Sequence, residues 1–189
     1  MKLLAFIKQN KAIVLALVIV LLSFGLLALP GQFAHYWPDI YAGGKQTYKY
    51  YMSGYQWIFN LKVVPKGLTD GVQIGKSAVP HGIAAIVLLG LCVPGLLFSK
   101  KSSFVAMLTS LALIVAAILF FTVASYGPKF YEFSQPDKGS RISWVPYVIG
   151  GLTILVGAAM TYRTVIVMKN EIKSPSQSKG NSYSYLKNK

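Results

Sequence analysis

Side chains able to do chemistry are scarce in this chain: among 189 residues there are two histidines, one cysteine and five carboxylates. His35 and His81 stand at the two ends of one long polar segment. If that segment folds back on itself, two imidazoles meet, and imidazole is a common metal ligand. Asp39 or Asp70 would then have to complete the ligand set, because two ligands do not close a site. The plainer reading is a pair of polar residues at a membrane boundary, so no metal ligand is assigned. Cys92 would be a nucleophile only with a base to activate it. It lies within an apolar run with no histidine near it in sequence, which makes it a small packing residue. No glycine loop carrying a phosphate-binding lysine is present. The residue types therefore predict no catalytic constellation, no cofactor and no enzymatic activity.

The elements around these residues explain the scarcity. The chain is 54% hydrophobic and 13% charged, with a mean hydropathy of +0.51, whereas a soluble domain carries about a quarter charged residues. The missing charge is missing from four long apolar runs: residues 12–29, closed by Pro30; 78–98, interrupted by Pro80, Gly90, Pro94 and Gly95; 104–126; and 144–162. Each approaches the ~20 residues that a helix needs to cross the hydrocarbon layer. The first resembles a signal peptide in its lysine-rich flank. It is longer than the usual apolar core, and no small-x-small site follows it, so it is expected to be a retained span. Only residues 99–103 separate the second run from the third, which makes those helices antiparallel neighbours. Small residues four apart, Ala112 with Ala116 and Thr153 with Gly157, together with Gly150 and Gly151, would let backbones approach where lipid supplies no hydrophobic drive. The predicted fold is α-helical and membrane-spanning: a four-helix antiparallel bundle with a small antiparallel β-sheet in the first extracytoplasmic loop.

No Asp, Glu, Lys, Arg or His falls in the middle of a run. Proton relays and ion pathways need such residues, and a secondary transporter would use more spans. Ionisable groups instead flank the runs, for a net charge of +14. That placement is membrane topology and attraction to anionic lipid, not a nucleic-acid surface. With the N-terminus (1–11) inside, 11 Lys and Arg lie on the inner side and 8 on the outer. Lys100 and Lys101 crowd the short inner turn, while the outer charge is diluted over residues 30–77 and 127–143. Tyr36, Trp37, Tyr126, Trp144 and Tyr147 gather near the outer boundary, where amphipathic rings prefer to sit. Both ends are expected in the cytoplasm and the protein in the plasma membrane, with 163–189 as a basic, disordered tail.

The first outer loop, 30–77, is the segment large enough to carry a specific function. Tyr55, Trp57, Phe59, Leu61 and Val63 occupy alternate positions, the period of a strand with one apolar face. Tyr48, Tyr50 and Met52 alternate just before them. Ser53-Gly54 between the two runs reads as a tight hairpin turn, and Val72 and Ile74 offer a third short strand. The aromatic face, with Trp37, Tyr48, Tyr50, Tyr55, Trp57 and Phe59 as its interaction residues, would cover the helix ends or meet another molecule. An open sheet edge can pair with another chain.

Four spans, both ends inside, a large first loop with a small sheet and a shorter second loop resemble the claudin-type tetraspan architecture. Trp37 followed by Gly54-Tyr55-Gln56-Trp57 is similar to the claudin loop, which has a tryptophan and then Gly-Leu-Trp. Here the glycine-to-tryptophan spacing is one residue longer and the cysteine pair that follows in claudins is absent. The resemblance implies a structural or accessory role through the outer loop, with membrane lipids and other membrane or envelope proteins, or a second copy, as partners. Two other roles fit the same pattern: binding of a lipid or small hydrophobic ligand, and capture of an external peptide by an immunity or sensor protein.

Overall fold

A computed structural model describes residues 10–37, 50–64, 77–100, 102–126 and 139–173. In chain order the elements are α1 (Lys11–Ala28), β1 (Ala34–Trp37), β2 (Tyr50–Met52), α2 (Gly54–Ile58), α3 (Pro80–Phe98), α4 (Ser103–Tyr126), β3 (Gly139–Ile142) and α5 (Val145–Lys173). Four of these, α1, α3, α4 and α5, are long and apolar enough to cross a membrane. The chain is a multi-pass integral membrane protein with a tetraspan arrangement.

Local chemistry sets the helix limits. Pro30 ends α1, and Gly31 turns the chain at φ +67. A side chain is also excluded there by space, since a Cβ on Gly31 would lie 2.8 Å from the Cβ of Tyr51. Pro80 opens α3 at a position where the missing N–H costs nothing. The fourth helix departs from expectation. It does not stop at Tyr162 but continues to Lys173, so the first part of the predicted disordered tail is helical. Val165 to Met168 prolong the apolar run, and no breaker occurs before Pro175, which disfavours helix at Ser174.

The spans form a ring in which α1 packs on α3 and α5, and α4 packs on α3 and α5. Side chains such as Leu15, Leu91, Leu111 and Leu155 stand more than half exposed around it, as expected where lipid takes the place of water. Glycine brings the helices together at two seams. A Cβ on Gly157 would lie 2.8 Å from Ile114 Cγ1 and 3.2 Å from the Ser110 carbonyl, across the α4–α5 seam. A Cβ on Gly95 would collide with Thr109 across the α3–α4 seam. Gly151 has open space around it and makes no such contact. The buried hydroxyls bond back to their own helices: Ser23 to Ile19 O at 2.9 Å, Thr109 to Val105 O at 2.8 Å and Thr153 to Ile149 O at 2.7 Å.

At one end of the ring three short strands form an antiparallel sheet in the order β2–β1–β3. The pairs are Ala34↔Met52, His35↔Tyr51 and Tyr36↔Tyr50 on one side of β1, and Ala34↔Ile142, His35↔Arg141, Tyr36↔Ser140 and Trp37↔Gly139 on the other. The sheet thus joins the first long connection to the second. The hairpin expected over residues 48–63 does not form. Ser53-Gly54 is not a turn between strands but the start of α2, and the partners of β1 come from two separate parts of the chain. The possible strand at Val72 and Ile74 lies outside the described residues.

Candidate functional site

The cap over the sheet end is built around α2, a helix of five residues. So short a helix cannot hold itself together by its internal bonds; its ends are tied instead. The Ser53 Oγ accepts from the Gln56 N–H at 3.3 Å, and the Gln56 Oε1 accepts from the Ser53 N–H at 3.0 Å, a reciprocal capping box. At the other end Asn60 takes a left-handed conformation, φ 52, and the Leu61 N–H donates to the Gln56 carbonyl at 3.0 Å. That bond closes a Schellman motif, in which asparagine is the usual substitute for glycine.

Two glycines let α2 wedge between helix ends. A Cβ on Gly54 would lie 2.5 Å from Leu27 Cδ2 and 3.1 Å from the Leu27 carbonyl, so α2 starts hard against the end of α1. A Cβ on Gly82 would lie 2.7 Å from Ile58 Cγ1, so α2 finishes hard against the start of α3. The Val79 N–H donates to the Ile58 carbonyl at 2.8 Å and closes this second junction. Trp57 and Ile58, adjacent in sequence, are both fully buried, with Phe33, Met52 and Val63 in the same apolar cluster. On the opposite side of α2, Tyr55 donates its hydroxyl to the Phe24 carbonyl at 3.4 Å, and its ring stacks on Phe59 at 6.4 Å and 16°. Burial pushes the Tyr55 phenol above its ordinary value.

The residues singled out by sequence are therefore dispersed. Tyr50 and Trp57 are buried within the cap, Tyr55 is half-buried and Phe59 is exposed. Trp37 ends β1 in register with Gly139, and Tyr48 lies outside the described residues. The outward surface consists instead of Tyr51, Phe59, Leu61, Lys62 and Val64. Of these, Tyr51, Leu61, Lys62 and Val64 were not singled out. The signals that would have found α2 are present in the sequence: Ser53 three residues before Gln56 marks a capping box, and Asn60 marks a left-handed stop.

His35 lies in the central strand and His81, half-buried, in the first turn of α3. Asp39 and Asp70 lie outside the described residues, and among the described ones no three His, Cys, Asp or Glu gather around a point. Cys92 is buried, and its thiol meets the Thr109 carbonyl at 3.8 Å in the α3–α4 seam.

Exposed rings lie toward both ends of the apolar part of α5. Tyr147 is 50% exposed near the sheet end and Tyr162 is 72% exposed near the other. Fifteen residues of helix separate them by about 22 Å, a little less than the ~30 Å hydrocarbon layer. Trp144, 49% exposed, stands just before the start of α5. Belts of such rings are typical of the two membrane interfaces. No protein-family model matches the chain, and no curated protein matches it. The four apolar helices fit a tetraspan topology, and no matching family ties that topology to the claudins specifically.

Proposed function

We propose that this chain is a non-enzymatic, four-span protein of the plasma membrane that serves as a structural or accessory subunit, binding another membrane or envelope protein, or a second copy of itself, through its cap. The observation that carries this reading is the contrast between the two parts of the molecule. The spans have no ionisable residue at mid-depth, and their buried hydroxyls bond back to their own helices. The cap joins both long connections in fixed register and presents Tyr51 on the edge strand β2. In the described sheet β2 and β3 are the edges, and an edge can accept an extended segment of a partner. The density of lysine and arginine favours both termini in the cytoplasm, with the cap outside, as in a claudin-like arrangement. Membrane lipid surrounds the rest, and nucleic acid has no place in this reading.

A photo-crosslinking side chain at Tyr51, irradiated in native membranes, tests the proposal against the same group at lipid-facing Leu155. The expected result is a discrete protein adduct from position 51 and none from 155. A chain that stays monomeric and adduct-free from position 51 would sink the proposal.

A further inference from the structure

We infer that the elbow formed by α2 and the residues after it, Tyr55 to Val64, rests in the headgroup region of the bilayer, with Lys62 positioned for lipid phosphate. Depth is the first argument. The Tyr55 hydroxyl reaches the carbonyl of Phe24, four residues before the last residue of α1. That is about 6 Å down the axis from the helix end. A ring anchored so far down cannot stand clear of the membrane, and Phe59 is stacked on it. Apolar exposure is the second argument. The elbow bridges α1 and α3, spans whose exposed side chains are apolar, such as Leu22 at 52% and Val87 at 54%. The elbow itself exposes Phe59, Leu61 and Val64, at 37%, 50% and 56%. Charge is the third. Lys62 is exposed amid these apolar side chains, the arrangement by which an ammonium snorkels from an apolar bed to headgroup phosphate. The occupant of this surface is phospholipid. The inference stands apart from whatever binds the sheet.

Cys92 is the only cysteine, so Cys92→Ala allows single labels to be placed. Spin labels at Phe59→Cys, Leu61→Cys, Val64→Cys and Tyr51→Cys would be compared in vesicles of phosphatidylcholine with and without equal phosphatidylglycerol. Collision with oxygen reports the apolar layer, and collision with a soluble nickel chelate reports water. The expected ratio of oxygen to nickel collision is several-fold higher at 59, 61 and 64 than at 51. Phosphatidylglycerol should deepen the Leu61 label, and Lys62→Gln should abolish that deepening. Nickel access at all three elbow positions would overturn the inference, as would shielding from both reagents, which would mean that protein covers the elbow. Depth that does not depend on phosphatidylglycerol would overturn the role of Lys62. Leu61 and Val64 are at least half exposed, so labels there leave the buried packing of the cap in place.

Discussion

Replacing Trp57 with alanine separates the cap from the bundle. Trp57 has no exposed surface and is the largest fully buried side chain among the described residues. It lies in α2, between the end of α1 and the start of α3. Truncating a buried tryptophan to alanine costs about 3–5 kcal/mol, through lost transfer energy and the cavity left behind. A helix of five residues has little internal stability with which to absorb that loss, so the cost falls on the opening of the cap. Hydrogen exchange followed by mass spectrometry, with the protein in lipid nanodiscs, reads this directly. The informative amides are Trp57, Phe59 and Val79, bonded to the carbonyls of Ser53, Tyr55 and Ile58 at 3.0, 3.0 and 2.8 Å. Each tenfold in exchange corresponds to ~1.4 kcal/mol, so Trp57→Ala should speed their exchange by roughly two to three and a half powers of ten. The speeding ends only where the cap is already open. Amides of α4 and α5 should keep their protection, because their bonds lie within the bilayer. Tyr51→Ala, a change at a 53% exposed side chain, should stay within about 0.5 kcal/mol of the parent. Unchanged exchange at the three amides would refute the packing of Trp57. Equal loss in α4 and α5 would refute the cap as a separable element.

Three further predictions test other parts of the fold. Gly157→Ala should destabilise the α4–α5 seam by about 1–3 kcal/mol through overpacking against Ile114 and the Ser110 carbonyl, whereas Gly151→Ala, facing open space, should leave the melting temperature in detergent unchanged or slightly raised. Ser53→Ala should cost ~1 kcal/mol of cap stability by removing the capping box, and Asn60→Val about 1–2 kcal/mol at its left-handed backbone, while Asn60→Gly should be tolerated; the same exchange experiment reads all three. Burial raises the Tyr55 phenol above 10.0 in the folded protein, so its contribution is complete below pH 10.0 and fades as pH climbs through the folded value, and a difference titration of tyrosine absorbance between parent and Tyr55→Phe should show a component titrating above 10.0.

The four spans are legible in the sequence because a bilayer imposes a rule that one-dimensional composition can meet: a long run without charge, flanked by lysine, proline or aromatic residues. The cap obeys no such rule. Residues 55–63 alternate as a strand would, yet Trp57 and Ile58 are neighbours and both buried, which alternation forbids. They are buried together because α2 is a wedge with one helix end on each side, and the positions of those ends are tertiary facts. The sheet was hidden for a related reason. Its central strand β1 pairs with Arg141 and Ile142, more than a hundred residues away along the chain, and nothing in either segment alone names the other. The aromatic residues of the loop stand out in the sequence by their number. Which of them face inward does not, because the strand reading placed Tyr55, Trp57 and Phe59 on one face, and the helix sends Trp57 to the opposite side.

The cap also answers a problem of cohesion that the spans leave open. Lipid is as apolar as leucine, so a span gains little from leaving lipid for protein unless backbones approach closely. The α4–α5 and α3–α4 seams have that approach, at Gly157 and Gly95. The spans differ accordingly: within an apolar 18-residue stretch of each, 44% of the residues in α5 and 39% in α4 are buried, against 28% in both α1 and α3. The two least buried spans are the pair that α2 clips together, through Gly54 against Leu27, Tyr55 on Phe24 and Ile58 against Gly82. β1 follows α1 within a few residues and pairs with β3, which leads directly into α5, so the first span is held to the fourth by the same cap. Loosening the cap should therefore free α1 before any other span. A crosslink or partner that tightens the cap should fix α1 in place, which would give a binding event on the sheet a mechanical route into the membrane.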